Sequence, residues 1–283
     1  MTAARNKPIL PKCLNEKMLK KVLAHRQMLR KKEFEKSLQL NRLKVTDNQR
    51  AAKSAGVNLR RVVPEDPKLQ KIARSQLLKF KPGPSPWPTP LGLSSVYYPP
   101  YAWVSPAPYE QTNSKDVEYV PWNGGPNVDT GQIGSILAAW GEPNSSQQAS
   151  CDMAVGSFFT SNASGVLNVR VNALINGIYR VSSPSLFLFA TCSLDLYAEI
   201  LYIDAEPAYP VRQTTNIVSD SIMGGVDWNY VNGLYSATVS FNVWPQYDYI
   251  LMGGTTQKVF CQPNCSAAMD AYTTILSVDY WMS

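Results

Sequence analysis

Lysine and arginine all but stop at residue 82. Residues 1–82 hold 22 of the 27 basic residues and 6 of the 21 acidic ones, a local balance of +16. The remaining 201 residues hold 5 and 15, or −10, so the overall +6 is the sum of two opposed regions. Between them runs KPGPSPWPTPLGLSSVYYPPYAWVSPAP, residues 81–108, with prolines at 82, 84, 86, 88 and 90. Alternating proline fixes φ and removes backbone donors, so this stretch can join neither a helix nor a central strand. The chain must therefore organise on either side of it. Three regions follow: a basic, partly helical arm over 1–81, a proline- and aromatic-rich strap over 82–113, and a third region over 114–283. The last is long enough to bury a core of its own.

In the arm, residues 13–43 read as helix. Leu14, Met18 and Val22 recur at fourfold spacing, while Lys20, Lys21, Arg30, Lys31 and Lys32 lie elsewhere on the wheel. Gly56, Pro64 and Pro67 then break the pattern, and residues 67–80 form a second, shorter helical candidate. So dense a cationic segment points to polyanion binding, because each neutralised phosphate releases condensed counterions. Lys20, Lys21, Arg26, Arg30, Lys31, Lys32, Arg60 and Arg61 are the candidate phosphate contacts. Two other uses remain open: docking of the leucine face on a partner or on the chain's own third region, and lying on an anionic membrane surface. Aromatic anchors for a membrane are scarce, with only Phe34 and Phe80 before the strap. No apolar run is long enough for a span or a signal-peptide core, so the expected location is intracellular or inside a particle.

The strap interleaves Trp87, Tyr97, Tyr98, Tyr101 and Trp103 with its prolines. A free linker needs no such rings. They are expected to be buried across the chain's own third region or at an interface with a neighbouring subunit.

The third region reads as all-β. Leu167, Val169, Val171, Ala173 and Ile175 alternate, and Asn176-Gly177 predicts a hairpin turn with residues 178–181 returning. Residues 185–204 read as two strands broken near 191–193, and 210–225 as a polar connection. Strands are expected over 234–244, 247–252, 257–261 and 274–282, with others near 117–120 and 151–159. Residues 133–140, IGSILAAW, are the one expected helix. Many short strands without alternating helices predict an antiparallel β-sandwich of jelly-roll type.

Catalysis is hard to assemble from these residues. The only histidine, His25, lies in the arm. Asp195 and Glu199 sit on one strand face about 13 Å apart at strand rise, too far for a paired-carboxylate mechanism. Cys261 and Cys265 are expected as buried or free thiols, with no metal and no cofactor. Trp122, Trp140, Trp228 and Trp244 offer a lectin-like face or, equally well by pattern, core.

A basic internal arm, a strap and a charge-poor jelly roll together resemble the coat proteins of small icosahedral viruses. That resemblance implies a virion protein that self-assembles into a shell, with Lys20, Lys21, Arg30, Lys31, Lys32, Arg60 and Arg61 facing packaged nucleic acid and the strap between subunits. Two alternatives stand beside it. One is a trimeric fibre or decoration protein anchored by N-terminal helices; the other is a carbohydrate-binding β-sandwich.

Overall fold

A computed structural model describes residues 16–59, 95–105, 109–112, 116–121, 125–142, 144–204 and 208–283. The first element is a single long helix, α1, Glu16–Ser54. Twelve strands follow among the described residues: β1 Ser95–Tyr97, β2 Trp103–Ser105, β3 Tyr109–Gln111, β4 Val117–Pro121, β5 Gln132–Trp140 and β6 Gln147–Thr160. The remainder are β7 Gly165–Ser183, β8 Ala190–Tyr202, β9 Tyr209–Ile222, β10 Gly225–Val243, β11 Asp248–Cys261 and β12 Ser266–Met282.

They form two antiparallel sheets. One has the order β10-β7-β12-β5-β4 with β1 on β12; the other has the order β2-β6-β11-β8-β9 with β3 on β6. From β5 to β12 the chain passes from sheet to sheet at every connection except β8–β9, which is a jelly-roll arrangement. The expected fold class is therefore present, preceded by a helical arm.

Alternation builds the core. Leu167, Val169, Val171, Ala173 and Ile175 from β7 meet Leu194, Leu196, Ala198 and Ile200 from β8 between the sheets. Period-two patterning sends these residues to one face, and burial there supplies the main driving force for folding. The opposite face of β8 is also buried, at Tyr197 and Glu199. α1 covers that face, with Val22 packed among Trp103, Tyr197, Leu201, Ile250 and Met252.

Several local expectations are overturned. Asn176-Gly177 is not a turn; β7 runs straight through it, paired with β10 on one side and β12 on the other. Gly177 serves close packing instead, since a Cβ there would lie 2.7 Å from the Asp270 carbonyl oxygen. Pairing along both edges of a 19-residue strand outweighs a local turn preference. Residues 133–140 are strand, not helix: Ile133, Leu137 and Ala139 enter the main core while Ile136 and Ala138 are buried elsewhere. A short run buried all round carries no period by which to tell the two apart.

Residues 185–204 contain one strand, β8, and the supposed polar connection at 210–225 is mostly β9. β9 reads as polar because it is a largely exposed edge. The segments 247–252 and 257–261 are one strand, β11. α1 runs to Ser54, beyond the expected end near residue 43. The second helical candidate, 67–80, lies outside the described residues.

From residue 95 the strap lies on the chain's own sandwich. Tyr97 stacks on Tyr280 with ring centroids 5.0 Å apart. The Tyr101 hydroxyl donates to the Ile275 carbonyl at 3.2 Å, and both Tyr101 and Trp103 are buried. Of the five rings proposed for a subunit interface, Tyr98 is exposed, Tyr97 is half-buried and Trp87 lies outside the described residues.

Candidate functional site

α1 has two faces with different uses for charge. Its inner face carries Val22, Arg26, Arg30 and Phe34 at fourfold spacing, one stripe of a helix. Beneath Arg26 and Arg30, neighbouring strands place Asp152 of β6, Tyr197 and Glu199 of β8, Arg212 of β9 and Thr256 of β11. Asp152 is opposite Thr256, and Glu199 is opposite Arg212.

Arg26 is 2% exposed. Its Nη2 donates to Asp152 Oδ1 at 3.0 Å and to the Tyr197 hydroxyl at 2.6 Å, and its Nε to Glu199 Oε1 at 3.2 Å. Arg30 reaches Glu199 Oε2 at 3.3 Å and Asp152 Oδ2 at 3.4 Å. From the sheet side, Arg212 donates to Glu199 Oε2 at 2.6 Å and to Asp152 Oδ2 at 2.8 Å. Its guanidinium lies 3.4 Å from the Tyr197 ring centroid, a cation–π contact in a desolvated setting. The Thr256 hydroxyl donates to Asp152 Oδ2 at 2.9 Å.

Burial alone would push the Asp152 carboxyl up, but Arg212, Arg26 and Arg30 outweigh it and hold the group well below the usual carboxylate range. Glu199 is lowered by the same three guanidiniums acting against its own desolvation. Two carboxylates held ionised by three arginines cannot serve as general acids. The cluster ties the inner face of α1 to the sheet through Asp152 of β6 and Glu199 of β8.

Arg26 and Arg30, expected among the phosphate contacts, are thus turned inward onto the domain's own acids. Lys20, Lys21, Lys31 and Lys32 are exposed, and Arg60 and Arg61 lie outside the described residues. Lys36, Arg42, Lys44, Arg50 and Lys53 are also exposed along α1, with exposed Glu33, Glu35 and Asp47 among them. Lys36 and Arg42 fall within the helix expected over 13–43 and carry no spacing that sets them apart, whereas Lys44, Arg50 and Lys53 fall beyond its expected end.

The remaining candidates are dispersed. Asp195 accepts from Asn216 at 2.8 Å and takes no part in the cluster. Cys151, Cys192, Cys261 and Cys265 are buried free thiols. Burial pushes Cys265 up to about 11 and Cys261 well above the ordinary thiol value, so neither is a ready nucleophile. Among the described residues no group of three or more His, Cys, Asp or Glu could hold a metal. In the same residues, no helix is long and apolar enough to cross a membrane.

Of the four tryptophans, Trp140 and Trp228 pack on Ala138, Ile178 and Ala268, and Trp122 lies outside the described residues. Trp244 differs. It is 46% exposed at one end of the sandwich, beside Tyr247, which is 41% exposed. Tyr202 lies 6.5 Å from the Trp244 ring and 5.4 Å from that of Tyr247.

No family model matches the chain, and no curated protein matches it by sequence. Among solved structures, the chain is similar to the carbohydrate-binding module TmCBM61 in complex with β-1,4-galactotriose. That match has 10% identity and a TM-score of 0.19, covering 62% of this chain and 89% of the other. A family 16 carbohydrate-binding module matches at 11% identity and TM-score 0.21, over 56% and 92% of the two chains. The enzymatically active domain of a bacteriophage CBA120 tailspike matches at 12% and 0.22, over 63% and 20%. Superposition this loose bears on neither ligand nor activity.

Proposed function

We propose that this chain is a structural, non-catalytic protein of the coat type, whose jelly roll forms part of an assembly and whose helix α1 binds nucleic acid through phosphates. One observation carries the reading: the exposed positions of α1 include nine cations against three acids, on a helix pinned to the sandwich by buried arginines. Cations held on a rigid rod keep a fixed spacing, and their contacts with phosphates are salt-sensitive and indifferent to sequence.

The test is anisotropy of a random-sequence oligonucleotide with the full chain across a salt series. The triple change Lys31→Gln, Lys32→Gln, Lys36→Gln should weaken binding equally for all sequences. It should also flatten the log–log salt slope by about 2–3, roughly 0.7–0.9 for each phosphate no longer neutralised. An unchanged slope sinks the proposal.

A second reading, a carbohydrate-binding module, is favoured by the exposed Trp244 and Tyr247 rings around Tyr202. Amphipathic rings at a wet surface suit stacking against sugar faces. On a glycan array, any signal should vanish with Trp244→Ala; a signal that survives the change excludes this end of the sandwich.

A further inference from the structure

Among the described residues the edge strands of the sandwich are guarded, with one exception; β1, on β12, has only three residues. β4 is five residues long and carries Glu118 and Pro121. β2 and β3 have three residues each. β9 carries Pro210 and Arg212, and its pairing with β8 shifts register at Leu194/Asp195. Short length, proline, charge and irregular register are the usual protections of a sheet edge.

β10 is long, has no proline and no register shift against β7, and carries a single charge, Asp227. It is the outer strand of its sheet, and β7 is its only strand partner among the described residues. Its 19 residues, GVDWNYVNGLYSATVSFNV, contain no proline, no lysine or arginine and one acid, Asp227. On the outward face of this strand Val226, Tyr230 and Leu234 are 52%, 72% and 57% exposed. A carbonyl of β10, that of Ser236, accepts from the Thr215 hydroxyl at 2.9 Å, and it lies C-terminal to these three residues.

We infer that residues 225–235 of β10 pair antiparallel with the same segment of a second copy of this chain, about a two-fold axis at Tyr230. The spacing is self-complementary. With Tyr230 opposite itself, Val226 meets Leu234 of the other copy on the same face, and Leu234 meets Val226. Cross-strand apolar and aromatic pairs of this kind are the unit of sheet stabilisation. The sole charge, Asp227, faces Gly233, so no like charges meet. Such a contact is isologous, as a two-fold dimer requires, and it joins two sheets into one.

The contact is independent of the basic face of α1, so the two proposals fail separately. Light scattering of the full-length protein should give a dimer that dissociates on dilution. Tyr230→Lys places like charges across the axis and should yield monomers that unfold thermally like the parent diluted into its dissociated state, with polyanion binding by α1 unchanged. Under mild oxidation, Tyr230→Cys should form a disulfide-linked dimer, whereas Val226→Cys alone should link no more than the parent chain. A parent that is monomeric at all concentrations overturns the inference. So does a dimer indifferent to Tyr230→Lys, or a Val226→Cys chain that cross-links as well as Tyr230→Cys.

Discussion

Replacing Glu199 with alanine is expected to cost about 3–5 kcal/mol, the usual range for removing one partner from a buried ionic cluster. Glu199 receives Arg26, Arg30 and Arg212 on its two oxygens, and its side chain has no solvent exposure. Without it, three guanidiniums would share Asp152 in a dry interface, and the inner face of α1 would have to lift to rehydrate them. Urea unfolding of the full chain checks the magnitude, and a loss below about 1 kcal/mol would place the cluster in solvent.

The double variant Glu199→Leu, Arg26→Met should lose less than the two single changes combined, since it removes a charge of each sign. The pH dependence has a definite direction. Both carboxyls have folded values below their unfolded ones, near 4. Their contribution is therefore complete above about pH 4–5 and is lost as pH falls towards the folded values. In Glu199→Ala that acid limb should shrink.

The second large effect is expected at Gly254, in the middle of β11. A Cβ there would run into the Met153 carbonyl oxygen and the ring and hydroxyl of Tyr197. Neither can yield cheaply. The carbonyl belongs to the β6 backbone, and Tyr197 is clamped by Arg212 over its ring and by Asp152 and Arg26 at its hydroxyl. Gly254→Val should cost about 3 kcal/mol, the upper part of the range for overpacking. Because it displaces the ring that supports the arginines, its effect should combine non-additively with Glu199→Ala. A change within about 0.5 kcal/mol would show that the site can relax.

Much of the fold is legible in the residues, and the exceptions have physical causes. Alternation in 167–175 and 194–202 marks true core faces because each strand there has one side fixed against the other sheet. The same period-two rule misses 133–140, where every residue from Ile133 to Ala139 is buried and none is charged, whereas Asp195 and Glu199 mark the second face of β8. Asn176-Gly177 misleads because turn chemistry is local, whereas two flanking strands act along the whole length of β7. The long helix could be read from its spacing, but its docking could not. Arg26 and Asp152 are 126 positions apart, and Arg26 and Glu199 are 173 apart. Nothing in the pattern around Arg26 separates it from the lysines beside it. A hint exists only in retrospect: Val22, Arg26, Arg30 and Phe34 form one stripe, and arginine is the cation best suited to a buried, forked pairing.

One consequence of the strand order concerns synthesis. β12 is the last of the sandwich's described strands in chain order, yet it lies between β7 and β5, pairing with the first over nearly its whole length. β5 and β7 are the first long strands of their sheet to be made, and nothing links them until Ser266–Met282 arrives between them. A nascent chain can form the β7–β10 ladder as it emerges, but that half-sheet keeps one long apolar side open while the ribosome adds the rest. The sheet is closed like a book by its final leaf, and the interval before closure is when this chain most needs a chaperone's cover.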